Sequence, residues 1–267
     1  MKALQALLTG ASAAPLDRAA LELASIEFPG LDPAPYLARI GELSARIPAG
    51  ADGPAFLAAA NRVLFTEAGI SGNASDYYNP RNSCLNEVLD RKTGIPITIA
   101  VLYLEIARRH GAPVLGVGLP GHFMVRYDDG EFAAYIDVFH QGALLDAEEC
   151  RALIQRVAGV DIFSDAAFLR PVDARHIAIR MLNNLRSVYF RRRNPGKAVQ
   201  VLDLLLTAAP SAAPEYRQRA VLNTELKRYG AAREDFLAYL RLAPDAPDRA
   251  EIERQLQQLR TLLSALN

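Results

Sequence analysis

The stretch GIPITIAVLYLEIARRHGAPVLGVGLPGHFMVRYDDGEFAAYIDV, residues 94–138, decides the fold, because its hydrophobic period changes once, from helical to extended. Gly94 and Pro96 open it. A proline at the first helical position loses nothing, since its missing N–H would have had no partner there. The apolar residues Ile97, Ala100, Val101, Leu104 and Ala107 then recur at helical spacing up to Arg108, Arg109 and the stop signal Gly111, which predicts a mostly buried helix. Val114 to Val117 reads as a strand, Pro120-Gly121 as a turn, and His122 to Tyr127 as a second strand. Beyond Asp129-Gly130, Glu131 to Val138 reads as a third. If Asp129-Gly130 is a two-residue hairpin loop, Asp128 faces Glu131 and His122 falls opposite Asp137. Directly opposed side chains have Cβ atoms about 5 Å apart, close enough for a carboxylate to hold an imidazole nitrogen.

Helix, strand, strand with His122, strand with Asp137: this order resembles the papain-type transglutaminase core, whose central helix starts with Gly-x-Cys. The tripeptide here is Gly94-Ile95-Pro96, so the resemblance puts His122 and Asp137 at the family's histidine and aspartate and Pro96 where the nucleophilic cysteine should stand. A closer resemblance, to the SirB group of bacterial transglutaminase-like proteins with a tetratricopeptide tail, is carried by several further words. They are Tyr77-Tyr78-Asn79-Pro80-Arg81-Asn82-Ser83, Leu85-Asn86-Glu87-Val88-Leu89, Gly118-Leu119-Pro120-Gly121-His122-Phe123 and Ile136-Asp137-Val138-Phe139-His140. With the helical flanks the resemblance spans nearly the whole chain. A similar core is found in some eukaryotic F-box proteins, which implies a protein-recognition context.

In a working enzyme of this fold, a thiolate at the helix N-terminus is stabilised by the dipole and by the histidine, which then serves as general base and acid. Pro96 offers no nucleophile. Cys84 is the one thiol that would replace it, at the start of a helix expected over Ser83 to Leu89 with Asn82 or Ser83 as cap; the alternative is a small buried hydrophobe. Thr98 lies about 200° around the helix from Pro96 and reads as buried, its hydroxyl bonded to the backbone a turn earlier. Tyr77, Tyr78, Asn82 and Asn86 read either as a pocket wall beside His122 or as a loop whose Asn and Pro residues set turns. His122, Asp137 and His140 offer two imidazoles and a carboxylate, a set compatible with zinc or iron. Asp137 and His140 are three apart at a strand end, so they share a face only if the chain bends there, and neither a metal nor a cofactor is expected. His110 and His176 lie near helix ends, as caps or solvent-facing groups.

The composition suits a water-exposed globular protein: 267 residues, 51% hydrophobic, 30 basic against 30 acidic side chains. A balanced charge lacks the basic stripe that nucleic acid or an anionic membrane surface requires, and Arg191-Arg192-Arg193 reads as a solvated helix end. No stretch approaches the roughly 20 apolar residues of a membrane span. The two cysteines, Cys84 and Cys150, make neither a disulfide framework nor a paired-cysteine zinc site, so a reducing cytoplasm is the expected compartment. Lys2, the run Ala3 to Leu8 and Ala11-Ser12-Ala13 imitate a signal peptide, but the run is short and interrupted by Gln5; it fits a short amphipathic helix feeding a second one.

Residues 1 to about 75 read as helical, with starts at Pro15, Asp32-Pro33 and Pro54. In the tail Gly196 recurs as Gly230, Ala198 as Ala232, Leu202 as Phe236, Leu206 as Leu240 and Ala209-Pro210 as Ala243-Pro244. Each pair is 34 positions apart, the tetratricopeptide period. First helices are expected over His176 to Arg192 and Pro214 to Arg228, with a closing helix from Asp248 to Leu266. Two repeats are too few to stand alone, so the tail is expected to pack on the core. The expected architecture is α+β: a transglutaminase-like domain over residues 1–172 (helical 1–75, core 76–172), then an all-α repeat module over 173–267. The expected function is non-catalytic recognition of a protein or peptide, with Tyr78, Asn82, Asn86, His122 and His140 as contacts. The competing expectation is an amidase or acyl transferase in which His122 is general base, Asp137 its orienter, and Cys84 or a water the nucleophile.

Overall fold

Prolines mark the helix starts of the N-terminal region, as their missing donor allows. The computed structural model describes residues 1–11, 14–159 and 170–265, which divide within one helix into two units, Met1–Met181 and Leu182–Asn267. The first unit opens with α1 (Lys2–Thr9), α2 (Leu16–Ala24), α3 (Ala34–Ala45) and α4 (Gly53–Asn61), the last continuing into a π-helical turn, Arg62–Glu67. Pro15 and Pro33 are N-caps and Pro54 lies in the first turn of α4. Ser12 and Ala13 of the signal-like triad lie outside the described residues, and Lys2–Thr9 is the short amphipathic helix.

Two short parallel strands, β1 (Ser71–Gly72) and β2 (Thr93–Gly94), flank a 3-10 turn (Pro80–Ser83) and α5 (Leu85–Arg91), and α6 (Pro96–Arg109) follows directly. The helix is buried from Pro96 to Tyr103 and stops at Gly111, whose φ is +66°. The charges it carries near the buried side are matched. Glu105, 3% exposed, accepts the Leu16 N–H at 2.8 Å and Arg108 Nε at 2.9 Å, and Arg109 reaches Asp17 at 2.6 Å. These contacts fasten α2 to α6, since a buried charge is tolerated only when paired.

A five-stranded antiparallel sheet of order β6-β5-β4-β3-β7 follows. It comprises β3 (Val114–Leu119), β4 (His122–Asp128), β5 (Ala133–Asp137), β6 (Ala143–Leu145) and β7 (Pro171–Val172). A 3-10 turn, Val138–His140, separates β5 from β6, and α7 (Ala147–Ala158) precedes β7. A reciprocal capping box between Asp146 and Glu149 starts α7. The helix covers one face of the sheet, where Cys150, Leu153 and Ile154 pack on Val117, Leu119 and Met124.

The hairpin register differs from the expected one. Asp128 pairs with Ala133 and Val125 with Ile136, so the loop has four residues, 129–132, and Asp137 is not directly opposite His122. The cause is Asp129, whose Oδ1 accepts the Glu131 and Phe132 N–H groups at 2.9 and 2.7 Å and holds a wider turn than Asp-Gly alone would make. The slip is two residues. Because side chains alternate with period two, both residues keep the expected face.

The second unit begins within α8 (Ala174–Arg191) and continues through α9 (Pro195–Ala208), α10 (Ala213–Glu225), α11 (Tyr229–Leu242) and α12 (Arg249–Ala265). Leu266 lies outside the described residues. The repeat is visible in the backbone as well as the side chains. Arg193 and Lys227, 34 positions apart, both turn the chain with positive φ, +50° and +58°. Ala198, Ala232, Leu202 and Phe236 are all buried. Arg219 of α10 ties its neighbours together, bonding Asp203 of α9 at 2.6 Å and Asp235 of α11 at 2.6 and 2.9 Å. Arg191-Arg192-Arg193 is exposed.

A Cβ on Gly72 would run into the ring of Phe139. Gly72→Ala is expected to lower stability by about 1–3 kcal/mol through overpacking, measured by urea denaturation.

Candidate functional site

Asp137 ends β5 and caps the turn that follows. Its Oδ1 accepts the backbone N–H groups of Phe139 and His140 at 3.1 and 3.3 Å, and this bends the chain. The bend returns His140 to its own strand end, with Nδ1 2.8 Å from Asp137 Oδ2, while His122 Nε2 lies 3.1 Å from Oδ1, reached diagonally across the ladder. Asp137 is 1% and His122 6% exposed, whereas the His140 ring is largely open to solvent. Gln141 and Gly142 then turn with φ of +57° and +75°, and Asn61 Nδ2 pins the Gly142 carbonyl at 2.7 Å.

Burial alone would raise the Asp137 carboxyl. The hydrogen bond and charge of His122, followed by those of His140, outweigh it and hold the group below the usual carboxylate range. Cys150 beneath the site is pushed the other way, to about 11, by burial and by the Asp137 charge.

Phe139 links the pair to its surroundings. Its ring meets His122 edge-on at 6.3 Å and Tyr77 at 6.2 Å, and Tyr77 meets Tyr78 at 5.3 Å. Tyr78 is half exposed. Arg180, absent from the sequence-derived set, bonds the carbonyls of Leu119 and His122 at 2.5 and 2.6 Å and lies over the Phe123 ring. Its signal is an arginine three positions after buried Ile177, at the edge of the apolar face of α8. Between β6 and α7 a cleft of about 370 Å³ opens, with Asp137 and His140 at one end and Glu149 and Arg156 among its walls.

Other candidates are engaged elsewhere. Pro96 is the buried first residue of α6. Cys84 is itself the N-cap of α5, so the expected helix over Ser83 to Leu89 begins at Leu85 instead, because Pro80–Ser83 forms the tighter 3-10 turn. Its thiol is fully buried and donates to the Pro80 carbonyl at 3.5 Å. The Asn82 amide donates to the Asp76 and Tyr77 carbonyls at 2.7 and 3.2 Å and accepts from Asn73, closing the loop. Asn86 is buried beside the Tyr36 hydroxyl of α3, its Oδ1 without a partner among the described residues. Thr98 is buried as expected, but the bond to the preceding turn is not made; its Oγ1 has no partner among the described residues. His110 Nε2 lies 2.9 Å from the Ser44 carbonyl, and His176 pairs with Asp173 in solvent.

A family model described as the transglutaminase-like superfamily matches residues 36–183, and one described as tetratricopeptide repeat matches 185–257. The chain belongs to the transglutaminase-like superfamily. It is 37% identical over 237 residues to a UPF0162 protein of Xylella fastidiosa (strain 9a5c), covering 86% of this chain and 84% of that one. It is 35% identical over 179 residues to F-box only protein 21 of Homo sapiens, covering 64% of this chain and 27% of that one. A crystal structure of menin superimposes with a TM-score of 0.43 at 12% identity, over 97% of this chain and 74% of that one. No described helix of this transglutaminase-like chain is long and apolar enough to cross a membrane.

The Asp137 carboxyl is depressed in the folded state, so its stabilising contribution is present above the unfolded carboxylate pKa and is lost as pH falls through the folded one. Asp137→Asn is therefore expected to cost about 1–3 kcal/mol near neutral pH. The gap to wild type should narrow as pH falls below about 4 in chemical denaturation.

Proposed function

We propose that the chain is a non-catalytic transglutaminase-like scaffold that binds a protein or peptide in the cytoplasm. The observation that carries this reading is Pro96, buried at the first position of α6, where an enzyme of this fold needs a thiol. Burial of Cys84, with its sulfur bonded to Pro80, removes the obvious substitute. Tetratricopeptide repeats generally mediate protein–protein interaction, and such a module follows the core along the chain. In this reading the core is a domain over about 1–172 and the repeats a module over about 173–267. In this reading Tyr78, Asn82, Asn86, His122 and His140 form the contact region of the core, with Tyr78 and His140 its exposed members, and α10 exposes Val221 on the repeats.

Peptides selected on the full chain by display should bind with micromolar affinity. Tyr78→Ala should weaken them about tenfold, or about 1.4 kcal/mol, if the core surface around Tyr78 and His140 holds the peptide; Val221→Asp should do so if the repeats hold it. Selection of no peptide binding above background would sink the scaffold reading.

One observation supports a second reading. The His122–Asp137 bond of 3.1 Å is the orienting half of a general-base device, so an amidase or acyl transferase with Cys84 or a water as nucleophile is the alternative. An electrophilic thiol probe at pH 8 should react slowly with the native protein, and His122→Ala should leave the rate unchanged. Cys150 should gain reactivity only as pH approaches about 11. A fast Cys84 whose apparent pKa rises in His122→Ala would restore the thiol enzyme.

A further inference from the structure

Extended backbone sends residues three apart to opposite faces, so Asp137 and His140 converge only because the turn after β5 is 3-10, where side chains at i and i+3 eclipse. One donor atom each from His122, Asp137 and His140 then lies within 4.8 Å of the others. We propose that these three residues form a binding site for a divalent transition metal, with zinc as the preferred ion and at least one coordination position open to the cleft. The proposal stands independently of whether the chain is a scaffold or an enzyme.

Donor chemistry and spacing both fit. Two imidazoles and one carboxylate are borderline ligands suited to zinc or ferrous iron, and three protein ligands plus a water is the arrangement of zinc sites with an exchangeable position. Metal–ligand bonds of about 2.0–2.2 Å place donor atoms of a tetrahedral site about 3.3–3.6 Å apart. Here His122 Nε2 is 3.1 Å from Asp137 Oδ1 and His140 Nδ1 is 2.8 Å from Oδ2, so an entering ion has to spread the first pair by about 0.2–0.5 Å and the second by about 0.5–0.8 Å. His140, with 59% of its side chain exposed, is the ligand free to make that adjustment.

Binding needs no loss of protons from neutral imidazoles. Each ring shifts its proton to the nitrogen turned away from the carboxylate, Nδ1 in His122 and Nε2 in His140, and offers the other to the metal. The carboxylate is already oriented by the Phe139 and His140 N–H groups, the outer support that metal-ligating carboxylates usually receive. Access is provided by the cleft of about 370 Å³ that reaches Asp137 and His140, where water or a ligand oxygen would complete the shell.

The test uses the full chain without an affinity tag, stripped with chelator and titrated with Zn²⁺ by calorimetry and with Co²⁺ by visible absorption. One equivalent of zinc should bind, and cobalt should give the bands of a four- or five-coordinate ion. His140→Ala, at an exposed position that leaves the fold intact, should weaken zinc by more than ~100-fold, since loss of an outer partner alone typically costs 10–100-fold. His176→Ala serves as the control, because it removes an exposed His–Asp pair of the same spacing, 2.7 Å from Asp173. It should change nothing. Equal zinc affinity in wild type and His140→Ala would overturn the site, as would absence of a one-to-one binding event or equal weakening in His176→Ala.

Discussion

The Asp137 carboxylate is the fastening on which the functional end of the sheet depends. It receives four hydrogen-bond donors, from the His122 ring, the His140 ring and the backbone of Phe139 and His140. A carboxylate that is 1% exposed is tolerated only when its lone pairs are occupied, and here the occupants come from β4 and the turn between β5 and β6. The same four bonds bend the chain, seat Phe139 against Gly72 and aim two imidazoles at one point. Stability and candidate chemistry therefore share one group.

Pro96 stands at the start of the central helix. The first helical position accepts proline without losing a hydrogen bond, so α6 is buried and intact there. The histidine and aspartate remain paired across the sheet. What the arrangement retains is a preorganised acid–base pair beside an open cleft, a combination suited to holding a polar group or an ion as readily as to moving a proton.

The repeat unit is built on a different logic. Its helices bury small and large apolar residues at a 34-residue interval, and the turns within each pair use a left-handed residue at the same interval, Arg193 and Lys227. Arg219, held by Asp203 and Asp235, supplies a polar clamp across three helices. The PKa of that guanidinium is pushed upward chiefly by its hydrogen bond to Asp235, the direction expected of a paired cation.

Periodicity, proline and glycine were enough to place α6, the three strands after it, and the 34-residue repeat, because these signals are local and survive without neighbours. The pairing of His122 with Asp137 was legible for a related reason: a register error of two leaves both side chains on one face. The loop length was not legible, since Asp129 chooses its backbone partners through space. Nor was Arg180 bonding the carbonyls beside His122, which joins distant segments, or the engagement of Asn82 with the Asp76–Tyr77 loop, which depends on how that loop closes. The sequence by itself determined which elements form and that a proline opens the central helix, through short-range sterics and spacing. Only the tertiary structure decided that His140 joins His122 at Asp137, because that convergence depends on a bend that a buried carboxylate stabilises.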